Sequence, residues 1–373
     1  MKRFHIKKII VLPIILALVV LTMFGCGNSA QQPAPSESTQ AVAPTETPAT
    51  TATSAPEATA TPAKPQPKII RFGCSGLGST DQLFMEGISN IINKYTDIKT
   101  STMGTNGGVE IMQLLGRGEL EAGFGASLNM VQALRKEAPF DKSQVPVEKM
   151  LQLFAFTTWQ DPIVVLDDSG IKTYADLDGK NIALPPLGSG TNSMSQIILN
   201  AYGMTDKVKI ESLDWQSGYD AMKDGRLSGW VANWANFMPS ANLIDLEATR
   251  KYDIIPVDKD VMEKVSQANP GIFAYELGSE ASPQNIKDGE TVLVPGFSGI
   301  AIISSDISEE SVYKMVKAIF AHVDDLTAIY GAFKYLPDVC MSSAVKDVPF
   351  HSGAAKALKE LGLWQDGYKV YGE

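Results

Sequence analysis

The residues of this 373-residue chain whose types and spacing point most directly to chemistry are Pro186-Leu187-Gly188-Ser189-Gly190-Thr191-Asn192-Ser193. A strand-like run, Asn181-Ile182-Ala183-Leu184, precedes them, and Met194, Ile197, Ile198 and Ala201 recur behind them at helical spacing. A glycine and hydroxyl turn opening a helix leaves backbone N–H groups unpaired before the positive end of the helix dipole. Such a turn holds a carboxylate or phosphate without any charged side chain. Two further clusters, Gly73-Cys74-Ser75-Gly76-Leu77-Gly78-Ser79-Thr80 and Gly104-Thr105-Asn106-Gly107-Gly108, also stand before helix-like runs. One glycine turn is usually only a turn. Three in one alternating chain point to helix N-termini converging on a cleft at the carboxyl ends of strands.

Other chemistries find little support. The Gly188-Ser189-Gly190 turn departs from the dinucleotide fingerprint at Ser193, and no Gly-Lys-Ser/Thr phosphate loop occurs. No Gly-x-Ser-x-Gly elbow or His-Glu-x-x-His zinc motif is present, so neither a metal nor a cofactor is expected. His322 near a helix end suits the dipole there, and His351 beside Phe350 reads as a packing or capping residue. Aromatic and amide groups gather in Trp230-Val231-Ala232-Asn233-Trp234-Ala235-Asn236-Phe237. That run is either a buried strand and helix or a cleft wall in which Asn233 and Trp234 meet a ligand. Trp159 either lines the same cleft or packs at a hinge.

The elements that must position these groups alternate. A run over Lys68–Phe72 precedes a helix with Phe84, Ile88, Ile91, Ile92 and Tyr95 on one face. Another helix carries Val109, Met112 and Leu115. A third is N-capped by Ser308, with Glu309 and Glu310 in its first turn. Strands alternating with helices predict an α/β fold. Two long apolar runs, Leu151–Leu166 and Val292–Ile303, are either ordinary strands with irregular neighbours or strands that cross between two domains.

The N-terminus predicts an extracytoplasmic protein. Lys2, Arg3, Lys7 and Lys8 precede an apolar run ending at Met23-Phe24-Gly25-Cys26, which reads as a secretory signal. Its ending resembles a bacterial lipobox, making Cys26 the lipidated residue and the cell membrane the anchor. Gln31–Pro67 is rich in Pro, Ala, Thr and Ser and reads as a disordered stalk. Removing residues 1–25 makes the formal charge of −10 four units more negative, which argues against nucleic acid or anionic lipid as partner. Cys74 and Cys340 remain, free or paired.

Taken in order, these landmarks resemble the TAXI class of TRAP-transporter solute-binding proteins. The resemblance covers nearly all of 68–364. It is carried by the three glycine clusters, Gly116-Arg117-Gly118-Glu119, Asp176-Leu177-Asp178-Gly179-Lys180, Ala221-Met222-Lys223-Asp224-Gly225 and the closing Pro349-Phe350-His351-Ser352-Gly353-Ala354. It implies a two-lobe, periplasmic-binding-protein-like (type II) α/β fold with two hinge-crossing strands. The division would be signal peptide 1–25, stalk 26–67, first lobe 68–160 and 298–373, and second lobe 161–297. The implied protein is a monomer that binds a small carboxylate solute and delivers it to TRAP membrane permease subunits. By position, Ser75, Gly78, Ser79, Thr105, Asn106 and Ser127 would face the cleft from the first lobe. Ser189, Gly190 and Thr191 would meet the carboxylate from the second. Departures around the Trp230 region place this chain's own selectivity there. The alternatives are an ABC-importer receptor of the thiamine-precursor or sulfonate type, and a secreted enzyme.

Overall fold

The computed structural model describes residues 66–76, 78–142 and 149–373, all within one compact unit, Pro62–Glu373. The expected signal, the expected lipidation position Cys26 and nearly all of the expected stalk lie outside the described residues. Gln66, assigned to the stalk from sequence, is tied to the domain: its side chain donates to Asp306 O at 3.2 Å and accepts the Ser308 N–H at 2.7 Å.

The chain runs β1 (Ile70–Cys74), α1 (Thr80–Tyr95), β2 (Thr100–Gly104), α2 (Gly108–Arg117), β3 (Ala122–Ala126), α3 (Ser127–Arg135) and β4 (Met150–Gln160). There follow β5 (Ile163–Leu166), β6 (Asn181–Leu184), α4 (Gly190–Ala201), β7 (Lys209–Ser212), α5 (Trp215–Lys223) and β8 (Gly229–Val231). Then come β9 (Trp234–Ala235), β10 (Met238–Pro239), α6 (Ala241–Thr249), β11 (Tyr252–Ile254), α7 (Lys259–Ala268), β12 (Ile272–Gly278) and β13 (Thr291–Ser304). Helices α8 (Glu309–Ala321), α9 (Val323–Ile329), α10 (Leu336–Ser342) and α11 (Ser352–Glu360) complete it.

Two sheets make two lobes. The first has the order β10-β9-β4-β13-β3-β1-β2, with β12 added to β13; the second has the order β11-β5-β8-β6-β7. In the first, β1 runs parallel to β2 and β3, and β13 is inserted antiparallel between β3 and β4. Both faces of the second sheet are covered, and its side chains divide by parity. Ile163, Val165, Ile182 and Leu184 join the main core, whereas Val164, Leu166, Ala183 and Trp230 pack on the opposite face with Tyr219, Met222 and Leu243.

The long apolar runs are β4 with β5, and β13. β4 and β13 lie side by side from Gly296↔Gln160 to Ser304↔Met150. At Asp161-Pro162 the chain leaves β4 and enters β5 of the second sheet. A further passage follows β8: Ala232-Asn233 leads back to β9, which pairs with the end of β4 (Gln160↔Trp234). Asp161 and Asn233 therefore stand side by side where chain passes between the lobes.

Candidate functional site

Three helices of at least two turns begin at one place. Ser79, Ser189 and Ser240 are the N-caps of α1, α4 and α6, accepting from Gln82 N, Asn192 N and Leu243 N respectively. Serine is suited to this, since its hydroxyl satisfies one of the orphan N–H groups while the backbone turns into the helix. All three line a cavity between the lobes, together with Ser75, Gly78, Thr80, Asp81, Phe124, Trp159, Gly190, Thr191, Trp215, Tyr219, Asn233, Asn242 and Phe297. The cavity measures about 30 Å³, so in this state the lobes are drawn together over a space little larger than water.

One wall is apolar. Trp159 lies against Phe124 and Phe297 with ring centroids 5.9 and 5.2 Å away, and its indole N–H donates to Thr80 Oγ1 at 2.8 Å. The rest is polar and, among the described residues, holds no Lys, Arg or His. Its acids are buried. Asp81 accepts the Ser75 N–H at 2.6 Å, and burial pushes its carboxyl up to about 6 against the pull of hydrogen bonds from Ser75 and Ser79. Asp161 lies behind the lining. It accepts the Thr191 hydroxyl at 2.6 Å and the Asn233 amide at 2.5 Å, and burial pushes it up to about 7. The Tyr219 hydroxyl accepts the Asn233 backbone N–H at 3.1 Å, which fixes the passage between β8 and β9.

The lobes meet on backbone. Val109 N–H of α2 donates to Gly188 O at 3.1 Å. Gly107, with φ of 128°, has no room beyond its Cα: a Cβ there would lie 3.0 Å from Gly188 O. A Cβ on Gly190 would lie 2.6 Å from Ala126 Cβ and 2.9 Å from the Phe297 ring. The turn read from sequence as an anion cradle is also an inter-lobe contact.

Of the residues singled out from sequence, Ser75, Gly78, Ser79, Trp159, Ser189, Gly190, Thr191 and Asn233 line the cavity. Four do not, because their polar groups are used inside the protein. Thr105 Oγ1 donates to Cys74 O at 2.9 Å. Asn106 bonds Glu110 and borders an open groove outside the inter-lobe contact. Ser127 is fully buried, donating to Gly271 O at 2.6 Å and accepting the Ser298 N–H at 3.0 Å. Trp234 is also buried, with its indole N–H on Ala281 O at 2.9 Å. Sequence reasoning missed Thr80, Asp81, Phe124, Trp215, Tyr219, Ser240, Asn242 and Phe297 as lining residues. A serine directly before an amphipathic run was the available signal for Ser240; the others come together only through the fold. Cys74 and Cys340 are both buried and free. His351 caps α11, accepting the Gly353 N–H through Nδ1 at 3.1 Å. Among the described residues no cluster of His, Cys, Asp or Glu could hold a metal ion, and no helix is long and apolar enough to cross a membrane.

Two α/β lobes joined by crossing strands, with a polar cavity between them, define a periplasmic-binding-protein-like fold. Residues 72–362 match the NMT1-like family, and the chain belongs to that family. Similar solved structures include the periplasmic aliphatic sulphonate binding protein SsuA from Escherichia coli, 14% identical over 82% of this chain and 96% of that one, TM-score 0.42. The alkanesulfonate-binding protein SsuA from Xanthomonas axonopodis pv. citri, bound to MOPS, is 12% identical over 82% and 98%, TM-score 0.42. A protein from Bordetella bronchiseptica RB50 is 15% identical over 81% and 91%, TM-score 0.47. The family match leaves the TAXI class of the resemblance noted above without support.

Proposed function

We propose that this chain is an extracytoplasmic solute-binding protein of a membrane transport system, and that it captures a small anionic solute, a carboxylate foremost, between its lobes. The observation that carries the reading is the convergence of three serine-capped helix N-termini on an inter-lobe cavity whose described lining lacks basic side chains. Each terminus supplies about half a positive charge and unpaired first-turn N–H groups, enough to hold an anion without a basic residue. Ser75, Gly78, Ser79, Ser189, Gly190 and Thr191 would surround the charged end, with Asn233 beside them. Trp159, Phe124 and Phe297 would pack on the carbon skeleton. Capture would proceed by lobe closure, the solute stabilising the closed state by its greater affinity for it. Nothing in this arrangement calls for turnover, so the role is binding rather than catalysis.

Family membership supports the ABC-importer receptor of the thiamine-precursor or sulfonate type over the TAXI-type TRAP receptor. An ATPase gene beside this one would agree with the first, a TRAP membrane subunit with the second. A lipid on Cys26 and a stalk to about residue 65 would tether a monomeric domain to the outer face of the cell membrane.

Native mass spectrometry of the purified chain, followed by calorimetry with the co-purified solute, tests the proposal. A small anion bound one to one is the expected result. A neutral or cationic solute, or conversion of the solute during incubation, would overturn it.

A further inference from the structure

Asp161 stands where β4 passes into the second lobe, its own N–H held by Pro295 O at 3.0 Å. Its carboxylate does not line the cavity, but both side chains bonded to it do. Thr191 has a single hydroxyl hydrogen, and that hydrogen points away from the cavity to Asp161 Oδ2. One of the two Asn233 amide hydrogens likewise points to Oδ1. With Asp161 ionised, Thr191 can therefore turn only lone pairs to a solute, which repels an anion at the very turn whose backbone attracts one. A proton on Oδ2 reverses this. The acid then donates to Thr191 Oγ1, and the threonine hydrogen is released toward the cavity.

We infer that Asp161 is a positioning residue which sets the hydrogen-bond polarity of Thr191, so that an anionic solute enters this site together with one proton taken from solvent. The inference rests on the anionic-solute reading above. The proton balance is closed: one proton leaves solvent for Oδ2, one Asp–Thr hydrogen bond reverses direction, and one Thr–solute hydrogen bond forms. Burial, which holds Asp161 near pH 7 rather than near 4, puts the exchange in the neutral range. The other titratable groups nearby are Tyr219, bonded to the Asn233 backbone and raised further by the Asp161 charge, and Asp81, which lines the same cavity from the first lobe.

The test uses the full chain in detergent, with succinate, methanesulfonate and inorganic phosphate as probes, titrated calorimetrically from pH 5.5 to 8.5. For the wild type, affinity for whichever probe binds should fall about tenfold per pH unit above pH 7, the slope of one linked proton. Asp161→Asn keeps the shape and places an amide N–H against Thr191, imitating the protonated acid. Its affinity should match the low-pH wild type and stay flat to pH 8.5. Thr191→Val should lose the same slope by removing the reporter. Equal slopes in the wild type and Asp161→Asn would overturn the inference and place the dependence on another group, Asp81 or, for phosphate, the probe itself. If no probe binds at any pH, the anionic-solute reading is judged on the co-purified solute, and the Asp161 carboxyl is followed by carbon-13 NMR in the same chain. Titration of that carboxyl near 4 overturns the inference independently.

Discussion

Gly190 offers the sharpest test of how binding and closure are joined. In Gly190→Ala the new Cβ would sit 2.6 Å from Ala126 Cβ and 2.9 Å from Phe297 Cε2. Neither neighbour has slack, since Ala126 ends a fully buried strand and Phe297 lies in β13 between the lobes, itself buried. Gly190 opens α4, which packs on the second sheet, whereas Ala126 and Phe297 stand in strands of the first sheet, so the clash exists only when the lobes are together. Forcing a methyl group into a packed site costs about 1–3 kcal/mol. Levied on the closed state alone, that cost lowers solute affinity by roughly 5- to 150-fold, at about 1.4 kcal/mol per factor of ten. The open domain should keep its stability or gain a few tenths of a kcal/mol, because alanine is the better helix residue. Calorimetry with the co-purified solute measures the loss, and small-angle scattering should report a larger radius for the variant. Ala126→Gly removes the nearest obstructing carbon, and at a helix N-cap glycine is tolerated. In the double variant part of the lost affinity should return, giving a coupling energy between residues on different lobes. Unchanged affinity in Gly190→Ala, or strict additivity in the double variant, would refute the reasoning.

Two other expectations concern stability and redox state. The neutral His351 ring accepts the Gly353 N–H through Nδ1 and donates from Nε2 to Ile307 O at 2.9 Å. Burial holds its pKa below the ordinary value of 6.5, so its contribution is complete above pH 6.5 and is lost as pH falls through the folded value. Thermal melts should show a smaller drop from pH 7.5 to 5 in His351→Asn, which keeps a capping side chain, than in the wild type. Buried Asp81 and Asp161, both raised, act in the opposite sense, and only the difference between the two proteins isolates His351. Cys74 and Cys340, both buried and with thiols pushed up to about 12, should resist a thiol reagent until the chain is denatured, then react as two free thiols without prior reduction.

What could be read from the sequence was what local physics decides. Of the α1 face read from spacing, Phe84, Ile88, Ile91 and Ile92 are buried while Tyr95 in the last turn is exposed, and Ser308 caps α8 by accepting from Ser311 N. The turn at Ser189 opens a helix because a capping hydroxyl and two glycines leave the chain little else to do. Failures fall where a polar side chain had two possible employers. Thr105, Asn106 and Ser127 look like ligand groups in sequence, yet each satisfies a backbone or carboxylate group nearby. Trp234 belongs to the same cluster of tryptophans and asparagines as Asn233, yet only Asn233 lines the cavity. Successive residues of an extended segment face opposite ways, so one reaches the cavity while the other is sealed behind it. The role of Asp161 could not be read from sequence. Its meaning depends on Thr191 and Asn233, which only the passage of chain between two sheets brings beside it.

The glycine turn before α4 also takes on a second meaning. Helix α2 has Gly107 at its N-cap and no side-chain cap. An uncapped helix start is costly unless some other acceptor serves it, and here that acceptor is Gly188 O from the opposite lobe. Opening the lobes would return the Val109 N–H to water; closing them would cap α2 again. The turn thus gives a carbonyl to α2 at Gly188 while its next residues, Ser189, Gly190 and Thr191, line the cavity. A solute drawing the turn toward the first lobe would bring Gly188 onto α2 in the same movement. Binding and closure would be one event because one stretch of backbone makes both sets of contacts, and the space left by Gly190, which has no positive φ to require it, is taken up by that closure.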